Sequence, residues 1–345
     1  MKKLLLSLTL SCLTAAAFSL PSLFNSQLYK VNDIKNIHID LTWEDVDIQE
    51  NNDTGNILVE VYCNNRKWAP EVKSSGSTIV IKAKKKSYSA FEQKKCTVIV
   101  KIPSHTQFES INFVTTSGDI HSQTIINADT FSAESTSGDQ SFTTNIIVQN
   151  ATFKATSGDI FVDSLSGQNL KAETTSGSIK FNALEEQNVS LEATSGSVKL
   201  TNTIIEKTLV KTTSGSITIE GNISKAFDLN ATSGTIGLEL DTAPSSRSRI
   251  DTTSGTIFVG LPGNDDFSLW VQTTGGSFTN AITKEKITDH VNYKQDINNG
   301  GAMIMLSSTS GRITVDSNNG ITGTITDNSM DKDVPVVSFD DPIFQ

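Results

Sequence analysis

Apolar and polar residues alternate along most of the chain, and the phase of the alternation changes at a recurring motif. Thr-Ser-Gly, followed by Asp, Ser or Thr, occurs eight times; one Thr-Gly-Gly-Ser and one Thr-Ser-Gly-Arg follow. Successive copies are 19 to 21 residues apart, except for a last interval of 35. The glycines that mark the ten copies are Gly118, Gly138, Gly158, Gly177, Gly196, Gly215, Gly234, Gly255, Gly276 and Gly311.

Aligned on these glycines, the copies share columns of apolar positions. The fifth residue before the glycine is apolar in all ten copies, and the second residue after it in nine, Gln140 being the exception. The fourth residue before it is polar in nine. A period of two predicts strands with one buried face. The inward-facing residues stand at odd distances before the glycine and at even distances after it. The chain must therefore bend at Ser-Gly, where glycine supplies backbone freedom that a Cβ would forbid.

One such unit cannot bury its own apolar side, so neighbouring units must stack. The sequence therefore predicts an all-β, single-chain parallel β-solenoid of about ten coils, each pairing with the next and with an irregular β region at the N-terminal end. With strands ~4.8 Å apart, ten coils form a rod on the order of 50 Å long. A period of two excludes helical repeats, and the unit is too short for a propeller blade.

The motifs TTSGDI, ATSGDI, TTSGSI and STSGRI, with the upstream stretch VIVKIPSHTQFESINF, resemble the bacterial putative-adhesin β-solenoid family of unknown function. The resemblance extends over residues 30–316. It implies an exported or envelope-associated solenoid, and it brings no catalytic residues with it. The regularity of the repeat and the acidic tail after the last coil depart from the family pattern.

Four segments follow from these patterns. Residues 1–19 carry two lysines, an apolar run and small residues at a cleavage position, as in a signal peptide. Residues 20–110 read as a β-rich cap or a set of less regular coils, with a separate binding module as the alternative. Residues 111–316 read as the solenoid, and residues 317–345 as an acidic tail. Lipid anchoring through Cys12 is disfavoured, because the preceding residues match a lipobox only loosely.

Two cysteines remain after the leader, Cys63 and Cys96, both in strand-like runs. An even pair in an exported chain favours a disulfide, with two buried thiols on neighbouring strands as the alternative.

The long last interval contains an insertion at residues 281–300. Insertions in repeat arrays form loops on one face, which often bind. Lys284, Lys286, His290 and Tyr293 make it a candidate interaction loop. An extended corner or packing at the end of the rod is the alternative.

Charge and composition narrow the classes of function. Lys plus Arg number 28 against 38 Asp plus Glu, a formal charge of −10, which disfavours nucleic acid as a partner. After the leader, no apolar stretch reaches the ~18 residues of a membrane-spanning helix.

Three further polar columns are interpreted as structural. Thr stands two residues before every glycine; its flanking charged column argues against a flat ice-binding face. Asp119, Asp139 and Asp159 are read as solvated turn residues, and no metal or cofactor is predicted. Asn150, Asn169 and Asn188 form a predicted ladder at a coil corner.

The favoured function is an exported structural or interaction protein, an adhesin or cell-envelope solenoid that contacts a protein or glycan surface without catalysis. A periplasmic envelope-stress or scaffold component is the alternative. A polysaccharide-cleaving β-helix enzyme is less favoured, because the four histidines are scattered and no serine has a recurring His or Asp partner.

Overall fold

A computed structural model of the 345-residue chain describes residues 21–84, 95–288 and 290–317. The predicted signal peptide and all but the first residue of the predicted tail lie outside the described residues. The two short 3-10 helices, Val31–Asp33 and Arg66–Trp68, are the only helices in these ranges. Neither has the length to cross a membrane.

The strands are β1 (Ser22–Lys30), β2 (Asn36–Asp40), β3 (Asp45–Asn51), β4 (Asn56–Cys63), β5 (Glu71–Ser75), β6 (Thr78–Lys82), β7 (Cys96–Pro103), β8 (Gln107–Thr115), β9 (Ile120–Ser122), β10 (Ile126–Ser135), β11 (Gln140–Ala155), β12 (Ile160–Thr174), β13 (Ile179–Ala193), β14 (Val198–Thr212), β15 (Ile217–Ser233), β16 (Ile236–Leu240), β17 (Ser248–Ser254), β18 (Ile257–Leu261), β19 (Phe267–Thr273), β20 (Ser277–Asn280), β21 (Glu285–Thr288), β22 (Val291–Ile297), β23 (Ala302–Ser310) and β24 (Arg312–Ser317).

The predicted parallel β-solenoid is confirmed. Successive coils pair in parallel with equivalent residues side by side, as in the match of Ile160 with Ile179 between β12 and β13. The apolar columns five before and two after the glycine face the interior. Five phenylalanines pack there, with neighbouring ring centroids 5.3 to 5.8 Å apart: Phe113, Phe131, Phe142, Phe153 and Phe181.

The chain bends at each Thr-Ser-Gly as predicted, but glycine is needed there mainly for space. A Cβ on Gly138 would lie 2.0 Å from the carbonyl oxygen of Gly118, and one on Gly196 would lie 1.7 Å from that of Gly177. Only three of the ten repeat glycines have a clearly positive φ: Gly234, Gly276 and Gly311. The corners of adjacent coils therefore stack so closely that no side chain fits between them.

The prediction that each coil pairs with the next in sequence is wrong at both ends. At the C-terminal end, the coil β23–β24 lies between β17–β18 and β19–β20, so the Gly311 corner stacks on Gly255 and not on Gly276. The insertion forms β21 and β22, which add antiparallel to β20 and β19 as the outermost layer.

The N-terminal end has the same arrangement. The coil β2–β3 lies between β6–β7 and β8–β9, in parallel register with both. Its corner at Glu44 takes the place of a repeat glycine, since the backbone of Glu44 stacks against Gly118. Beyond this coil, β4 pairs antiparallel with β7, and β1 pairs antiparallel with β4.

The structure joins Cys63 and Cys96 in a disulfide. The two residues are directly opposite in the antiparallel pair β4–β7, with their Cα atoms 4.2 Å apart. The disulfide thus ties the irregular N-terminal strands to the first coils.

Candidate functional site: a groove along the solenoid

One face of the solenoid, on the N-terminal side of the corners, carries a long groove. Its floor is the column three residues before each glycine, which holds only Ala, Ser or Thr and is buried throughout. One wall is the mostly charged column four before the glycine, and the other is the exposed Thr column two before it. We call this surface the threonine groove. Its lining threonines are Thr136, Thr156, Thr175, Thr194, Thr213, Thr232, Thr253 and Thr309.

The groove is continuous across nine coils. It consists of two adjoining cavities of about 540 and 500 Å³ that share Glu192 and Thr194. The first reaches Thr309 and the second reaches Val114. Nine coils at ~4.8 Å spacing give the groove a length of roughly 40 Å.

Hydroxyl groups of the floor close the corners. Thr115 Oγ1 accepts the N–H of Gly118 at 3.0 Å, whereas Ser135 Oγ donates to the carbonyl oxygen of Gly138 at 2.6 Å. Thr212 Oγ1 donates in the same way to Gly215 O at 2.8 Å. The sequence analysis did not identify this column. It could have been found from the sequence, because all ten copies have Ala, Ser or Thr at this position.

Charges on the groove wall pair with one another between coils. Lys154 Nζ lies 4.0 Å from Glu134, Lys211 Nζ 3.8 Å from Glu192. Lys171, one column farther out, lies 2.5 Å from Glu173.

Near its C-terminal end the wall holds the ion pair of Arg249 with Asp251. Burial raises the pKa of Asp251 above its ordinary value, while hydrogen bonding from Ser307 and the charge of Arg249 act in the opposite direction. Each of the four wall carboxylates therefore has a cationic partner: Glu134 with Lys154, Glu173 with Lys171, Glu192 with Lys211, and Asp251 with Arg249. Lys171 lies outside the groove lining, and Arg249 also lies 3.8 Å from Asp228.

The Asp column lies on the other side of the corner and is part of the coil stacking. Asp119 Oδ1 accepts the N–H of Asp139 at 2.9 Å, and Asp139 Oδ1 that of Asp159 at 2.8 Å. Asp45, which the sequence did not flag, begins the column by accepting the N–H of Asp119. Burial is the main cause that raises the pKa of Asp45. Among the residues described, no group of three or more His, Cys, Asp or Glu side chains could hold a metal ion.

The Asn ladder forms as predicted. Asn169 Nδ2 donates to Asn150 Oδ1 at 2.9 Å, and Asn188 Nδ2 donates to Asn169 Oδ1 at 3.0 Å. These amides satisfy one another along the rod, which fits a structural role.

The four residues of the candidate interaction loop do not form one cluster. Lys284, Lys286 and His290 are exposed. Tyr293 instead packs on Phe278 with ring centroids 4.8 Å apart and donates a hydrogen bond to Glu285. Tyr293 thus belongs to the packing of the outermost layer.

His121 stands opposite Asp47 and Ser141 on neighbouring strands, but the hydrogen bonds of His38 and His121 go to amide side chains. His38 Nδ1 is 3.1 Å from Asn112 Nδ2, and His121 Nε2 is 2.9 Å from Gln123 Nε2. No histidine lines the described groove.

One buried acid was not anticipated. Glu186 occupies an inward column beside Ile205, and its side chain is 4% exposed. Its Oε1 lies 3.0 Å from where a Cβ on Gly167 would be, so the missing side chain of Gly167 makes room for it. Neither carboxyl oxygen has a hydrogen-bond partner, and burial raises the pKa of Glu186 to about 8.

A family model matches the chain twice, over residues 34–187 and 168–316. The two matches together span the described solenoid, including the irregular N-terminal coils. The chain belongs to this family, the toastrack family DUF4097. A search of curated proteins gave no match.

Several solved structures resemble parts or most of this chain. A "putative adhesin" from Parabacteroides distasonis is 13% identical, with a TM-score of 0.45, covering 69% of this chain and 92% of its own. A "putative lipid binding protein" from the same species is 14% identical, with a TM-score of 0.46, covering 84% and 96%. A "putative adhesin" from Parabacteroides merdae is 11% identical, with a TM-score of 0.46, covering 85% and 95%. At such low sequence identities and TM-scores, these structures say nothing about the ligand or the partner of this chain.

Proposed function

We propose that the protein is an exported, non-catalytic interaction protein of the cell envelope, an adhesin, that holds its ligand along the threonine groove. The observation that carries this proposal is the groove itself, continuous over nine coils and open to solvent. A rigid solenoid repeats the same weak contact at fixed spacing, so many such contacts add to a useful affinity.

Export is supported by the disulfide between Cys63 and Cys96, which persists in oxidising compartments, and by the leader-like pattern of residues 1–19. The absence of catalysis is supported by the groove lining. Its carboxylates are paired with Lys or Arg, and its threonines have no histidine beside them in the described lining.

Filling the groove should abolish binding. Thr194 and Thr213 are adjacent, exposed groove residues, and Thr194→Trp with Thr213→Trp places two large side chains across it. We expect labelled protein to sediment with envelope material from cells lacking the gene, and the double variant to lose at least about 90% of this binding. Co-sedimentation measured against protein concentration gives the result.

Thr130→Trp with Thr218→Trp is the control, at one exposed and one half-buried residue. Both residues are on strands of the same solenoid but outside the groove lining. Equal binding by the groove variant and the control would overturn the proposal. Lys284, Lys286 and His290 stay a predicted second contact. They are better tested by substitution to Ala than by deletion, because deletion would also remove Tyr293 from Phe278.

A further inference from the structure

We propose that the ligand of the threonine groove is a neutral, linear polysaccharide. This inference rests on the proposed function and adds the chemical class of the ligand. Four properties of the groove support it: the direction of the backbone hydrogen bonds, the pairing of charges, the spacing of hydroxyl groups and a floor whose side chains turn inward.

The backbone of this face is already occupied. Hydrogen bonds between coils run along the rod axis, for example from Ser137 N to Thr116 O and from Ser195 N to Thr175 O, both 2.8 Å. A polypeptide that joins a sheet needs a free strand edge. The groove runs along the rod axis, across the faces of the strands and not along a free strand edge. A ligand in the groove therefore meets side chains only.

The pairing of the charges disfavours an ionic ligand. Each of the four wall carboxylates has a Lys or Arg partner, although Arg249 is shared with Asp228 and the whole chain carries a formal charge of −10. A polyanion would have to separate Lys154 and Lys211 from their carboxylate partners. A polycation would have to separate Glu134 and Glu192 from theirs. A neutral ligand leaves these pairs intact.

The threonine wall matches a polyhydroxyl chain. Each Thr hydroxyl can donate one hydrogen bond and accept others, as can each hydroxyl of a sugar. In the stacked coils these hydroxyls recur every ~4.8 Å along the axis, so one sugar after another meets the same partner.

The floor leaves room for one extended chain. Ala155, Ala193 and Ala231 alternate with Ser or Thr there, and their side chains turn inward, as Ser135 does toward the buried Gln140. The lining has no aromatic side chain in the described residues. Binding therefore depends on many hydrogen bonds of about 1 kcal/mol each, and affinity should rise with polysaccharide length.

Affinity electrophoresis tests this inference. The acidic protein migrates in native gels that contain cellulose ether, glucomannan or amylose as neutral polymers, or alginate or polygalacturonate as acidic ones. We expect at least one neutral polymer to retard it and neither acidic polymer to do so. Thr194→Val with Thr213→Val, which removes two hydroxyls but keeps the branched shape, should weaken that retardation about thirtyfold.

Thr130→Val with Thr218→Val, outside the groove, should leave retardation unchanged, and circular dichroism should show both double variants folded. The inference would be overturned if only the acidic polymers, or none of the polymers, retarded the protein. It would also be overturned if a neutral polymer retarded the Thr→Val groove variant as strongly as the wild type, or if the protein bound an extended casein peptide instead of a polysaccharide. If the polymers fail while the Trp substitutions still abolish envelope binding, the proposed function stands with another ligand class. If the Trp substitutions do not reduce envelope binding, the ligand does not bind in the threonine groove and the proposed function is wrong.

Discussion

Replacement of Gly196 by alanine is expected to lower the free energy of unfolding by at least about 3 kcal/mol. The added Cβ would lie 1.7 Å from the carbonyl oxygen of Gly177 and 2.5 Å from its carbonyl carbon. Both atoms are backbone, and they belong to a corner held by hydrogen bonds to the coils on either side. Relief of the contact must therefore separate coils in the middle of the rod.

Chemical denaturation followed by circular dichroism measures this loss. Gly263→Ala is the matched control, since a Cβ there would meet nothing closer than Ser317 Cβ at 3.4 Å. It should change stability by no more than about 0.5 kcal/mol. Similar losses in the two variants would show that the close stacking of corners is not what requires glycine.

Glu186 is expected to make the protein less stable as the pH rises from about 4.5 to 8. In the unfolded chain the carboxyl ionises near its ordinary pKa of 4.5, whereas burial raises the folded-state pKa to about 8. Between these values the unfolded state binds fewer protons, so stability falls by up to about 1.4 kcal/mol per pH unit. At pH 7 the accumulated loss is on the order of 3 kcal/mol.

Glu186→Gln should flatten this slope, because the amide does not titrate. Glu185→Gln, at the exposed neighbouring residue, should leave it unchanged. The free energy of unfolding is measured at each half pH unit between 4.5 and 8.5. A wild-type slope that Glu186→Gln does not alter would contradict the assignment of the pH dependence to this buried carboxyl.

The solenoid could be predicted because its apolar columns are almost unbroken. The order of its coils could not. Val271 and Leu306 occupy the same column, as do Phe278 and Ile313, so either coil can bury the apolar side of β17–β18. The hydrophobic pattern is identical for both arrangements, and only three-dimensional packing selects between them.

The candidate groove was only half visible in the sequence. The Thr column was interpreted as structural, and the charged column beside it served only as an argument against ice binding. Their relation depends on the small floor between them, represented by Ala193 between Glu192 and Thr194. Glu186 was missed for a related reason. The alternation of inward and outward residues shifts by one again in the middle of each coil, so a polar residue in that stretch is easily taken for an exposed one.

Photo-cross-linking in living cells tests the central claim most directly. A benzophenone amino acid is placed at Thr194 or Thr213 in the groove, at Thr218 on the other side of the corner, and at Lys286 in the outermost layer. The account predicts cross-linked ligand from Thr194 and Thr213 and none from Thr218, with any Lys286 product weaker. Cross-links from Thr218 or Lys286 with none from the groove would contradict it.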